Sequence, residues 1–261
     1  MREGTVVSWL FHSSGGCVIA WNDPRQLARP GRNLSPEAFL ASLQMADSFF
    51  PGGGYTLSHG LESYAEAGLL DVASLTSIAG DLIRHSIGPS DGVALAVAMR
   101  AAKAGDLGLI AAADQRLTSV KLAREPRQAS IRLGRQILAI ARDTFDDEVA
   151  GAYLARVRAE ELPGNQAVAM GLLKRALDIP AWEAVAGELH TFATTCAGAA
   201  LRMSLIDHRQ AQRVIRDLAP AIAAATDDAM DRGVAEIGGS TPFAEIMAMR
   251  HETAEIRLFV T

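Results

Sequence analysis

His59 and Glu62 stand three residues apart, so on a helix they would share a face, while His251 and Glu252 are adjacent and would point apart. Neither pair makes the His-Glu-x-x-His arrangement that fixes zinc, and His12 and Cys17 form only a lone couple near the start. Pro51-Gly52-Gly53-Gly54 invites a phosphate-cradle reading, but Gly60 is followed by Leu61 and Glu62 instead of the lysine and hydroxyl residue a phosphate loop needs. Ser58-His59 is no nucleophile elbow, because adjacency in sequence does not bring a hydroxyl onto an imidazole. Asp146-Asp147 and Asp227-Asp228 suit helix starts and polar faces. No catalytic residue, cofactor site or metal ligand set is assigned, and the chain is not expected to be an enzyme. The enzymatic alternative is a helical metal-dependent hydrolase using His59, Glu62 and His251.

Helices must position these residues. Ser35-Pro36-Glu37 is a helix start, and Phe39, Leu40, Leu43, Ala46 and Phe50 follow at helical spacing, which predicts a helix over 35–48. Pro51 and the glycines stop it, and Ser58 is placed to cap a second helix carrying Leu61, Tyr64 and Ala65. A third runs from Asp71 to Gly88-Pro89, another from Ser90 to Gly105, and Asp106 opens the next. Further starts fall at Arg127, at Asp146 or Asp147, after Pro163-Gly164 and after Pro180. The apolar line Trp182, Val185, Leu189, Phe192, Cys196, Ala199, Met203 and Ile206 predicts the longest helix, with Cys196 a buried small hydrophobe on it. Phe243 to Met249 reads as a short helix. Only Thr5 to Trp9, Cys17 to Trp21 and Ile256 to Val260 look like strands. The expected fold is an all-α, single-domain bundle of about ten helices over 34–261, preceded by an arm over 1–33 rich in linker chemistry.

The 261 residues are 49% hydrophobic with a net charge of -5, a soluble composition with no basic field for nucleic acid. The apolar start is too broken for a membrane span or a signal peptide, and two cysteines fit a reducing compartment, so a cytoplasmic location is expected. Near the end, Arg250, His251, Glu252 and Arg257 beside Leu258 and Phe259 suit either a partner-docking edge or a tail tied to its own bundle.

Two separated motifs carry a family resemblance. Leu43 to Ser48, Phe50-Pro51, Gly53-Gly54-Tyr55, Ser58 and Gly60-Leu61-Glu62 resemble the signature of the urease accessory protein UreF family, and Arg250-His251-Glu252 with Arg257-Leu258-Phe259 resembles its closing motif. Gly171, Gln212 and Leu218-Ala219-Pro220 fall between them in the family's order, whereas Gly52, Leu57, Asp207, Ala211 and Ala254 depart from its usual residues. The resemblance implies an all-helical, homodimeric, non-enzymatic chaperone that binds UreD (also called UreH), recruits the GTPase UreG and acts with them on apo-urease during nickel insertion. A GTPase-activating role toward UreG is the alternative within that resemblance. The resemblance also implies a partner interface drawn from Pro51, Gly53, Gly54, Tyr55, Ser58, Gly60, Glu62, Arg250, His251, Glu252, Arg257 and Phe259.

Overall fold

Short polar side chains cap five of the helices. Ser35 accepts a hydrogen bond from the Ala38 amide at 3.1 Å, Asp106 from Leu109 at 2.9 Å and Asp147 from Ala150 at 2.7 Å. Asp71 and Asp207 form reciprocal capping boxes with Ser74 and Gln210. Each satisfies amides that the first helical turn leaves without a partner. The computed structural model describes residues 34–47, 49–52, 56–255 and 257–259, and among these there is no strand. The helices are α1 Pro36–Ala46, α2 Leu61–Glu66, α3 Val72–Leu82, α4 Val93–Lys103, α5 Leu107–Val120, α6 Arg124–Phe145, α7 Glu148–Arg158, α8 Gln166–Ala176, α9 Ala181–Arg202, α10 His208–Met230 and α11 Pro242–His251. A short 3-10 turn, Val234–Glu236, precedes α11. The fold is therefore all-α, and no described helix is long and apolar enough to cross a membrane. The expected arm over 1–33, with His12, Cys17 and two of the three strand-like pieces, lies outside the described residues.

α4 and α8 occupy the middle. Every residue from Val93 to Met99 and from Ala167 to Lys174 is buried, and small side chains such as Ala96, Ala98 and Ala169 let neighbouring helices approach closely. α8 packs against both α4 and α6, and α9 runs along α10. Cys196 is fully enclosed on α9, and burial pushes its thiol up to about 12. It packs as a small apolar group there.

Four sequence expectations change. α1 forms where expected, but Phe39, Leu40 and Leu43 point outward while Ala38 and Met45 are buried. Spacing alone reveals a helix's apolar stripe, not what lies opposite it. Ser58 does not cap α2: Gly60 stands at that position. Gly88-Pro89 does not end a helix either. α3 continues into α4 through a π-helical segment, Ile83–Gly92, with Pro89 inside it. The wider winding carries the chain past a residue that has no amide hydrogen, and the Ser90 hydroxyl donates to the Ser86 carbonyl at 2.6 Å. α6 begins at Arg124, so Glu125 and Pro126 belong to its first turn.

Candidate functional site

The two motifs, nearly two hundred residues apart in sequence, fold onto each other. His59 and Gly60 both take positive φ, 53° and 81°, which turns the chain sharply into α2. A Cβ at Gly60 would stand 3.2 Å from the Ala248 amide nitrogen, so glycine is what allows α2 to lie against the backbone of α11. Tyr64 meets Phe243 edge-to-face at 5.5 Å, and Leu61 beside it on α2 is fully buried.

Glu62 is the centre of the clasp. One carboxylate oxygen accepts from the Leu258 amide at 2.7 Å; the other accepts from Phe259 at 3.2 Å and faces His251 Nε2 at 2.9 Å. The opposite ring nitrogen of His251 faces Glu125 Oε2 at 2.7 Å, and Glu125 Oε1 accepts from Arg257 at 2.6 Å. The His251 ring therefore lies between the two carboxylates, one ring nitrogen against each. Glu252 extends the network to α6, accepting from the Arg124 and Glu125 amides at 2.6 and 3.2 Å where that helix has unpaired donors. Phe259 is buried beneath the Arg202 guanidinium, 4.7 Å from ring centroid to Cζ. The C-terminal segment is thus tied to its own bundle at four places: Glu62, the Glu125 carboxylate, the amides that open α6, and Arg202.

Of the residues expected at an interface, Ser58, Gly60, Glu62, His251 and Phe259 are buried and work inside the chain. Pro51, Arg250 and Arg257 are exposed and Glu252 is half-buried, whereas Gly53, Gly54 and Tyr55 lie outside the described residues. Glu125, Arg124 and Arg202 complete the clasp and carry no motif of their own. The one local signal for Glu125 is an acid beside proline at a helix start. Glu62 and Glu125 sit on opposite sides of the His251 ring and do not converge on one point. His59 turns away from that pair to lie 4.7 Å from Phe192, and among the described residues no group of three or more histidines, cysteines and acids is arranged to hold a metal ion.

His59 instead lines a cavity of about 610 Å³ beneath Phe50 and Pro51, beside Met45 and Phe192. The π-helical segment delivers Asp91 to its wall, where the carboxylate pairs with Lys121 at 2.7 Å. Burial, reinforced by the Lys121 ammonium and opposed by Asp91, lowers His59 from 6.5 to about 4. Between those values the unfolded chain binds more protons than the folded one, so stability rises with pH across that window. At about 1.4 kcal/mol per unit, the contribution lost on acidification from pH 6.5 to 4 is roughly 3 kcal/mol. Urea unfolding of His59→Gln should therefore show a flatter pH dependence than the parent chain over this window; parallel curves would remove His59 as the source.

α11 faces two ways. Ala244, Met247 and His251 point inward, while Phe243, Ile246 and Met249 make an outward strip ending at exposed Arg250. Strips of this kind, apolar with an arginine at the rim, are what interfaces are made of.

Comparison with known proteins agrees with the motifs. The UreF family model matches residues 69–219, more than half of the chain. A urease accessory protein UreF 2 of Brucella canis is 31% identical over 222 residues, covering 85% of this chain and 91% of that protein. UreF of Trichodesmium erythraeum is 31% identical over 84% of this chain and 95% of its own length, and that of Paenarthrobacter aurescens 32% over 85% and 97%. The matched region carries the bundle and the two terminal motifs close upon each other, and the chain belongs to the UreF family of urease accessory proteins.

Proposed function

We propose that this chain serves urease maturation as a non-enzymatic nickel-insertion chaperone in the cytoplasm. In that role, residues 34–261 form a homodimeric bridge between UreD (UreH) and the GTPase UreG and bring both to apo-urease. One observation carries the reading: the clasp of Glu62, His251, Glu125 and Arg257 holds α11 rigidly while its outer side offers Phe243, Ile246, Met249 and Arg250. A preorganised apolar strip limits the ordering cost of binding.

Within this reading the named residues divide. Ser58, Gly60, Glu62, His251 and Phe259 shape the surface from beneath, and Pro51, Arg250, Glu252 and Arg257 stand at its edge; Gly53, Gly54 and Tyr55 of the glycine loop are assigned to the same interface by the motif alone. The four apolar groups Phe39, Leu40, Leu43 and Phe49, all exposed on α1 or just after it, suit the dimer or UreD side.

Arg250→Ala should lower recovery of the co-expressed accessory proteins in a pull-down by about tenfold, as expected for a truncated interface arginine, with the circular dichroism spectrum unchanged. Undiminished recovery removes Arg250 from the interface. Its exposed guanidinium also keeps the activating role in view, since an arginine supplied in trans stabilises the charge of phosphoryl transfer. Single-turnover GTP hydrolysis by UreG, with and without this chain, separates acceleration from docking.

A further inference from the structure

A second face, of opposite chemistry to α11, lies on α6 and α7. The whole chain is acidic, with 25 basic against 30 acidic residues, yet α6 alone carries five arginines against Glu125 and Asp143. Three of the five have partners. Arg124 reaches Glu252 at 3.5 Å, Arg127 donates to the Lys121 and Leu122 carbonyls at 2.7 and 3.0 Å, and Arg142 holds Asp143. Arg132 and Arg135 are exposed three residues apart, on one face of the helix, and make no ion pair among the described residues. On α7, Arg156 takes Glu161 at 3.0 Å, while Arg158 is exposed and likewise forms no ion pair there. Arg135 and Arg158 line one depression of about 370 Å³ with Gln136 and Glu160, floored by Leu154 and Val157. Arg135 and Arg158 thus share one depression with Arg132 a helical turn from Arg135, and the carboxylates near them are Glu160 and Asp143, the latter already held by Arg142.

We propose that this α6–α7 face docks an acidic helix or loop of a protein partner, whose carboxylates take forked hydrogen bonds from Arg132, Arg135 and Arg158. The guanidinium fork matches a carboxylate in geometry, and like charges left side by side repel until an opposite charge arrives. A polynucleotide is the poorer occupant. Nucleic-acid affinity is built from about 6–10 phosphate contacts, and three arginines on a chain of net charge -5 do not supply them. The proposal rests on the bridging reading above and deepens it, because a bridge requires two faces: an apolar one on α11 and a basic one here. Charge complementarity of this kind gives orientation and encounter rate, and its signature is sensitivity to salt.

The test uses the full chain co-expressed with the UreD and UreG homologues of its own urease gene cluster, recovered at low and at high salt. A double charge reversal, Arg135→Glu with Arg158→Glu, should lower recovery of one of the two partners at least about tenfold, with the other retained and the melting curve unchanged. Arg135→Lys with Arg158→Lys should keep part of that recovery, Lys103→Glu on α4 should change nothing, and high salt should weaken the same partner in the parent complex. Full recovery of both partners by the charge-reversed chain, or a loss that appears only in its self-association, overturns the proposal and leaves the bridging reading standing. If the parent chain recovers neither partner, the bridging reading itself fails, and this proposal with it.

Discussion

Glu62→Ala should free the C-terminal tail: trypsin should cut after Arg250 and Arg257 on the order of a hundred times faster than in the parent chain, with the rest of the bundle still folded. The buried carboxylate accepts the Leu258 and Phe259 amides and faces His251, so its removal leaves two amides and one ring nitrogen of His251 without their partner, the other ring nitrogen still facing Glu125. Breaking a buried charged network from one side costs about 3 kcal/mol. The remaining ties, His251 and Arg257 to Glu125, Glu252 to the start of α6 and Phe259 beneath Arg202, do not reach the two amides. A local opening made about 3 kcal/mol easier is populated roughly a hundredfold more, and cleavage of a fast-opening segment follows that population. Glu62→Gln should fall between, because an amide keeps one acceptor oxygen and turns an NH₂ toward the remaining donors. Parent-like cleavage in Glu62→Ala would show that the tail is held elsewhere. If the bridging reading is right, the same variant should also lose partner recovery while Arg250 is intact, since the strip on α11 then stands on a loosened support.

Local chemistry explains which parts of this structure were legible in the sequence. Asp71, Asp106, Asp147 and Pro180 mark helix boundaries through bonds to amides within three residues or through a fixed φ, and each boundary falls where those residues place it. Cys196 was legible as core because the apolar line of α9 runs through it. Pro89 misled for a related reason: its missing amide hydrogen is local, whereas the ten-residue π-helical winding that accommodates it is supported by neighbouring helices. α1 shows the limit of periodicity, since Phe39, Leu40 and Leu43 announce a helix but not that the bundle lies on the side of Ala38 and Met45. In the clasp, His251 pairs with Glu62 across 189 residues and with Glu125 across 126, distances at which spacing carries no signal. The motifs drew attention to both ends. Only the fold reveals that they meet, that the middle residue of Arg250-His251-Glu252 is buried while its neighbours reach the surface, and that an unmarked glutamate joins them.

Asp114→Ala should be among the most damaging single substitutions in the bundle, for a reason independent of the clasp. Asp114 is fully buried on α5, 39 residues from Tyr153 and about 50 from the turn that enters α8. Its carboxylate accepts from the Tyr153 hydroxyl at 2.8 Å, the Gly164 amide at 2.7 Å, the Asn165 amide at 2.8 Å and the Asn165 side chain at 2.7 Å. Burial and the adjacent carboxylate push the Tyr153 phenol far above its usual range, so it stays a donor at any accessible pH. One acceptor thereby fixes α7, the Gly164-Asn165 turn and the start of α8, the helix on which α4 and α6 pack. The turn is tight against α6 as well, because a Cβ on Gly134 would collide with the Gly164 carbonyl. Alanine would strand three buried donors, the Tyr153 hydroxyl and the Gly164 and Asn165 amides, while the Asn165 side chain keeps the Asp114 carbonyl and the Thr118 hydroxyl; the loss costs about 3–5 kcal/mol. At about 2–4 °C per kcal/mol for a chain of this size, the melting temperature should fall by roughly 10 °C. Asp114→Asn keeps the volume and one acceptor oxygen but turns two N–H donors toward donors already present, so it should recover little of the loss. A shift of only a degree or two in Asp114→Ala would mean that α8 is positioned by apolar packing alone. The expected fall would make Asp114 the polar anchor that sets where α8 begins, and through α8 the placement of the α6 face that carries Arg132 and Arg135.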